Sequence, residues 1–150
     1  KIQTALSIED IINKKQDWVE CTVGMLEIDG IRHFFEPTVS IKDRTVLSVE
    51  EKFQIGTGTN IRLSECGVSN WINQVDVFEH LCEQLGVKNY ARIDFFYNTR
   101  TQIACFIEVN TLPGFSPSTV FFQQALYYCS SLNPQRVVSQ IISNHRLSLI

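Results

Sequence analysis

The sequence predicts an α+β fold with a mainly antiparallel sheet flanked by helices. Three observations carry this. Two pairs of apolar, strand-like runs are each joined by a short polar turn: Trp18 to Ile28 with Ile31 to Phe35, and the run from Ala91 with the run ending at Asn110. A helical apolar stripe lies between the pairs, and two more helical patterns follow the second. With 150 residues and 44 % hydrophobic content, the chain is large enough for one core and reads as one domain or a piece of one.

Taken in order, Ser7-Ile8-Glu9-Asp10 opens a short helix, with Ser7 as cap and Asp10 in its first turn. Trp18 to Ile28 is a strand, and Asp29-Gly30 is a strong two-residue hairpin signal before Ile31 to Phe35. Glu20 by itself reads as an exposed position on that strand. Gly56 to Asn60 is a polar loop unlike a P-loop. A helix begins at Asn70 or Trp71 and runs to about Leu85; Ile72, Val75, Phe78, Leu81, Cys82 and Leu85 make its stripe, and Gly86 stops it. Thr119 to Ser131 forms a helix apolar on most sides and therefore well buried. Asn133-Pro134 caps and starts a last helix, to which Val137, Val138, Ile141 and Ile142 give the apolar positions.

The second strand pair carries polar groups that a buried strand has no use for: Arg92 and Asp94 on one run, Glu108 and Asn110 on the other. Side chains alternate between faces, so loop parity decides whether the four meet. An odd loop such as Asn98 to Arg100 places all four on one face and leaves Ile93, Phe95, Ile107 and Val109 on an apolar one, and we expect that arrangement. Asp94, Glu108 and Asn110 would then offer hard oxygen ligands of the kind magnesium takes. The residue types leave a second reading open, a solvated outer face with an Arg–Asp pair. After the second run, Thr111 to Pro117 is a stiff loop in which Gly114 allows unusual dihedrals or close backbone approach to a ligand. The helix that follows presents free amide hydrogens at its start.

Composition narrows the function classes. A net charge of −3, from 13 basic and 16 acidic residues without a basic cluster, gives no nucleic-acid footprint. No apolar stretch approaches a membrane span, and Lys1 to Asp10 lacks a signal-peptide core, which predicts a soluble cytoplasmic protein. The five cysteines are odd in number and have no C-x-x-C spacing, so neither a disulfide framework nor a zinc site follows. Most are expected to be small buried hydrophobes. A Cys nucleophile paired with His33, His80 or His145 has no local support.

ARIDFF followed by FIEVNTLPGFSP is similar to the C-terminal ATP-grasp region of the D-alanine–D-alanine ligase family, whose signatures are R-[IV]-D and E-[VA]-N-T-x-P-G. Between Asp94 and Glu108 the chain is one residue longer than common members. VECTVGML-DG-IRHFFEP and Glu50-Glu51-Lys52-Phe53 also resemble family elements, and Ile8-Glu9-Asp10 resembles a displaced adenine hinge. From Arg62 to Asn70 the spacing departs from the family's. The likeness covers roughly Trp18 to His145.

The resemblance implies an ATP-grasp C-terminal domain over residues 1–150, without the N-terminal and lid regions of a complete ligase and unable to turn over alone. It implies ATP and Mg2+ (or Mn2+) as cofactors, D-alanine as substrate, a homodimeric parent, and a role in making the peptidoglycan dipeptide through an acyl phosphate. Residue by residue, it assigns Asp94, Glu108 and Asn110 to the metal, Glu20 to the ribose and Lys52 to the nucleotide phosphates. Arg92 and the Gly114 amide are assigned to the oxyanion of the tetrahedral intermediate. Thr119 stands where the family usually has a serine that binds the second substrate's carboxylate. Two alternatives remain: another ATP-grasp ligase, such as one making D-Ala–D-lactate, or a non-catalytic ATP-grasp-like binding module.

Overall fold

The computed structural model describes residues 18–40 and 60–147. The expectations for Ser7 to Asp10, for Lys52 and its neighbours, and for Gly56 to Thr59 lie outside the described residues.

The strands are β1 (Trp18–Ile28), β2 (Ile31–Phe34), β3 (Thr38–Ser40), β4 (Asn60–Arg62), β5 (Tyr90–Asn98) and β6 (Ala104–Asn110). The helices are α1 (Val75–Leu85), α2 (Val120–Tyr128) and α3 (Pro134–Leu147). The strands form one antiparallel sheet in the order β4-β3-β1-β5-β6, with β2 also beside β1. The expected α+β class is what is found. At the first hairpin, Asp29 and Gly30 both take positive φ (52° and 79°), the type I′ geometry that matches strand twist.

The alternation of β1 and β5 divides the molecule. Val19, Cys21, Val23 and Met25 with Ala91, Ile93, Phe95 and Tyr97 face one side, where Phe78 and Cys82 of α1 and Leu63 of a short 3-10 turn cover them. Leu26 with Phe35 faces the other side, against Phe121, Phe122 and Ala125 of α2 and Val137 of α3. Cys21, Cys66 and Cys82 are buried as expected, whereas Cys105 and Cys129 are exposed.

Three helix expectations need correction. The first helix starts as a 3-10 segment, Asn70–Gln74, whose three-residue turn carries Ile72 off the stripe, and Leu85 lies at the last turn; both are exposed. The second is shorter than Thr119 to Ser131 and buries one face only, leaving Leu126, Tyr127 and Tyr128 exposed. In α3, Val137, Val138 and Ile141 pack inward while Ile142 is exposed. Its cap is as expected, with Asn133 Oδ1 accepting the Arg136 N–H at 2.9 Å.

The central hairpin reaches its expected facing by a different route. Asn98 N–H donates to Ile103 O at 2.9 Å, so the loop is the four residues Thr99 to Gln102, an even number. A bulge then restores parity: Asp94 lies opposite Glu108 while Phe95 lies opposite Phe106, leaving Ile107 without a counterpart. Ile107 is therefore exposed rather than on the apolar face, and Phe106 packs on the core in its place.

Between its pairings with β3 at Cys21 and Thr22 and with β2 from Met25 onward, β1 is bridged by a side chain. Gly24 N–H donates to Gln124 Oε1 at 2.8 Å, and Gln124 Nε2 donates to Thr22 O at 2.9 Å and to Thr38 Oγ1 at 3.1 Å. Only glycine fits beneath this amide, because a Cβ at Gly24 would stand 2.7 Å from Phe35 Cδ2 and 3.0 Å from Gln124 Oε1. Gly24→Ala is expected to lower stability by roughly 1–3 kcal/mol through overpacking, seen as a reduced urea midpoint at unchanged m-value.

Candidate functional site

The strand register lays polar residues across the sheet in rows. Arg62, Thr38, Thr22, Asp94 and Glu108 stand directly opposite one another in turn across β4, β3, β1, β5 and β6. The adjoining row is Gly24, Arg92 and Asn110, and the row on the other side is Glu20, Phe96 and Cys105. Directly opposed residues share a face, so Arg92, Asp94, Glu108, Asn110 and Glu20 all lie on the face that α2 and α3 partly cover.

Asp94 is the centre of this surface. The Arg92 guanidinium grips it with two bonds, Nε to Oδ1 at 3.0 Å and Nη2 to Oδ2 at 2.8 Å, and the Thr22 hydroxyl also donates to Oδ1. Such a fork fixes a carboxylate's plane as well as its charge. Arg92 Nη2 also lies 3.7 Å from Glu108 Oε1, and the Glu108 side chain is 59 % exposed against 20 % for Asp94. Asn110 Oδ1 accepts the Leu112 N–H at 2.9 Å, which turns the chain out of β6 into the proline loop.

The donor chemistry suits a hard cation. The face offers two carboxylates and an amide, and no group of three or more His, Cys, Asp or Glu side chains gathers among the described residues. Such a set fits an ion that completes its shell with water and phosphate oxygens, as magnesium does.

The proline loop folds onto the same face. Phe115 packs edge-on against Tyr90, two residues before Arg92, at 5.3 Å between ring centroids, and against Phe122 at 5.3 Å. Gly114 is exposed and does not use a left-handed dihedral, which corrects that part of the expectation. The loop does bring Gly114 and Thr119 together, since a Cβ on Gly114 would lie 3.4 Å from Thr119 Cγ2. Thr119 is the residue before α2, and its hydroxyl is closed off from solvent with no hydrogen-bond partner among the described residues. Glu20 is half-buried on β1, two residues from Thr22 on the same face.

Thr22, Thr38 and Gln124 are the participants that sequence reasoning missed. Parity with Glu20 places Thr22 on the site face, and an amide within the apolar run of α2 signals a buried hydrogen-bonding role. His33 is engaged elsewhere, with Nδ1 2.8 Å from the Tyr128 hydroxyl.

A family model described as D-ala D-ala ligase C-terminus matches residues 2–143. A D-alanine–D-alanine ligase of Flavobacterium psychrophilum is 27 % identical over 119 residues, covering 79 % of this chain and 35 % of that ligase. One of Vibrio parahaemolyticus is 31 % identical over 108 residues, covering 68 % of this chain and 32 % of that ligase. The solved D-alanyl-alanine synthetase A of Vibrio cholerae superposes with a TM-score of 0.53 at 21 % identity, over 83 % of this chain and 39 % of that one, and shares the fold. The chain thus spans about a third of the length of these two curated relatives. No helix among the described residues is long and apolar enough to cross a membrane.

The cysteines give a test of the surface. Burial pushes the Cys82 thiol up to about 11 and Cys21 well above its ordinary value, whereas a hydrogen bond with Ser131 lowers that of exposed Cys129. Cys129 is expected to react with iodoacetamide ahead of Cys21, Cys66 and Cys82. Ser131→Ala removes the stabilising bond, so the pH of half-maximal Cys129 labelling should rise, as peptide mapping across pH 6 to 9 would show.

Proposed function

Because the chain belongs to the D-alanine–D-alanine ligase C-terminal family, we propose that it is the ATP-grasp C-terminal portion of an ATP-dependent carboxylate–amine ligase. The observation that carries the reading is the placement of Asp94 opposite Glu108 and Arg92 opposite Asn110, with all four on one face. In the proposed reaction ATP phosphorylates the carboxylate of one D-alanine, and the amine of a second displaces the phosphate to give the dipeptide used in peptidoglycan. Such chemistry depends on positioning and charge neutralisation more than on covalent catalysis.

Asp94, Glu108 and Asn110 would hold magnesium or manganese, which supplies positive charge to the nucleotide phosphates when bound. Arg92, already on the same face, is assigned to the oxyanion that forms when the amine attacks, together with the Gly114 amide. Glu20 is assigned to the ribose, Lys52 to the phosphates and Thr119 to the carboxylate of the second substrate. The Thr119 hydroxyl would have to turn out of its closed position to do so. Residues 1–150 are read as one domain of a larger, cytoplasmic and homodimeric enzyme.

Calorimetric titration of the chain with ADP, with and without Mg2+, tests the assignment. Binding is expected to require metal and to weaken at least roughly tenfold in Asp94→Asn and in Glu108→Gln, as loss of a direct ligand should. Binding indifferent to both substitutions would overturn the site.

A further inference from the structure

We propose that Thr22 is a positioning residue for the metal-side carboxylate of Asp94, an inference that rests on the reading of the hairpin given above. Thr22 stands directly opposite Asp94 in the β1–β5 register, is 7 % exposed, and donates its hydroxyl hydrogen to Asp94 Oδ1.

Among the described residues, the other two donors to Asp94 both come from Arg92. A guanidinium and a divalent cation carry the same sign, so they compete for the same oxygens when the cation arrives. The Thr22 hydroxyl is neutral and does not repel the cation. It is therefore the donor able to keep Asp94 oriented whether or not Arg92 stays on it, engaging one oxygen and leaving the other for the metal. A ligating carboxylate held by a hydrogen bond of this kind binds more tightly, because its rotation is already restricted.

Thr22 is itself held in place. Gln124, 1 % exposed, donates to Thr22 O at 2.9 Å and to Thr38 Oγ1 at 3.1 Å, and Thr38 is the residue opposite Thr22 on β3. The Thr22 backbone is thereby anchored to α2, the helix that begins next to Thr119.

The test uses Mn2+ as the probe, with bound and free ion separated by electron paramagnetic resonance in the presence of ADP. Thermal melting of each variant is recorded alongside. Thr22→Val keeps the side-chain shape but removes the donor, and should weaken Mn2+ binding roughly tenfold. Thr22→Ser keeps the donor and should restore most of the affinity, which a purely structural role for the methyl group would not allow. Thr22→Ala supplies the comparison with serine if the valine variant melts below the assay temperature. Asp94→Asn, measured in parallel, separates the two readings. Mn2+ affinity that falls with Asp94→Asn and is unchanged in the folded variants lacking the hydroxyl, or as weak in serine as in those variants, overturns the role of Thr22 alone. Affinity unchanged by Asp94→Asn overturns the metal site itself, and the role of Thr22 with it.

Discussion

A carboxylate in the middle of a sheet face is a charge partly withdrawn from water, and it is tolerable only if donors replace the solvent it has lost. Asp94 meets that condition through the Arg92 fork and the Thr22 hydroxyl. Much of the local design follows from that need. The fork requires Arg92 and Asp94 two residues apart on one strand, and the hydroxyl requires β1 and β5 in a register that sets Thr22 opposite Asp94. A shift of one residue in that register would turn the donor toward the helix-covered core.

The two faces of the sheet divide the labour. One is filled with apolar side chains from both central strands and closed by α1, and it supplies most of the burial. The other is apolar only where α2 and α3 lie on it, and polar beside them. The junction between these regions is where Gln124 sits. Its amide satisfies backbone groups of β1 at the place where that strand passes from one edge partner to the next. A buried amide with three bonds is a firm joint, since removing it strands groups that water cannot reach.

Much of this was legible in the residues. The Asp29-Gly30 turn, the Gly86 helix stop and the Asn133 cap each rest on local chemistry that tertiary context does not overrule. The common facing of Arg92, Asp94, Glu108 and Asn110 was readable from alternation, because two strands of one hairpin admit only two answers. The bulge at Ile107 was not readable. Bulges are placed by competition between packing of neighbours, and Phe106 wins the core position because its ring meets Phe78 and Phe95. Thr22 and Gln124 were hidden for another reason: a hydroxyl or an amide signals a partner but does not name it until long-range pairing brings β1, β3 and α2 together.

The bulge also bears on how this hairpin tolerates change in length. Because the four-residue loop alone would set the polar residues of the two strands on opposite faces, correct facing belongs to loop and bulge jointly. Two residues can be gained or lost at the tip with the surface unchanged. A single insertion or deletion there is silent only when a compensating residue appears or vanishes along the strand. Related chains can thus drift in hairpin length while presenting the same four side chains, and an alignment that confines gaps to the tip would misplace the residues between tip and bulge, Ile103 to Phe106, by one position.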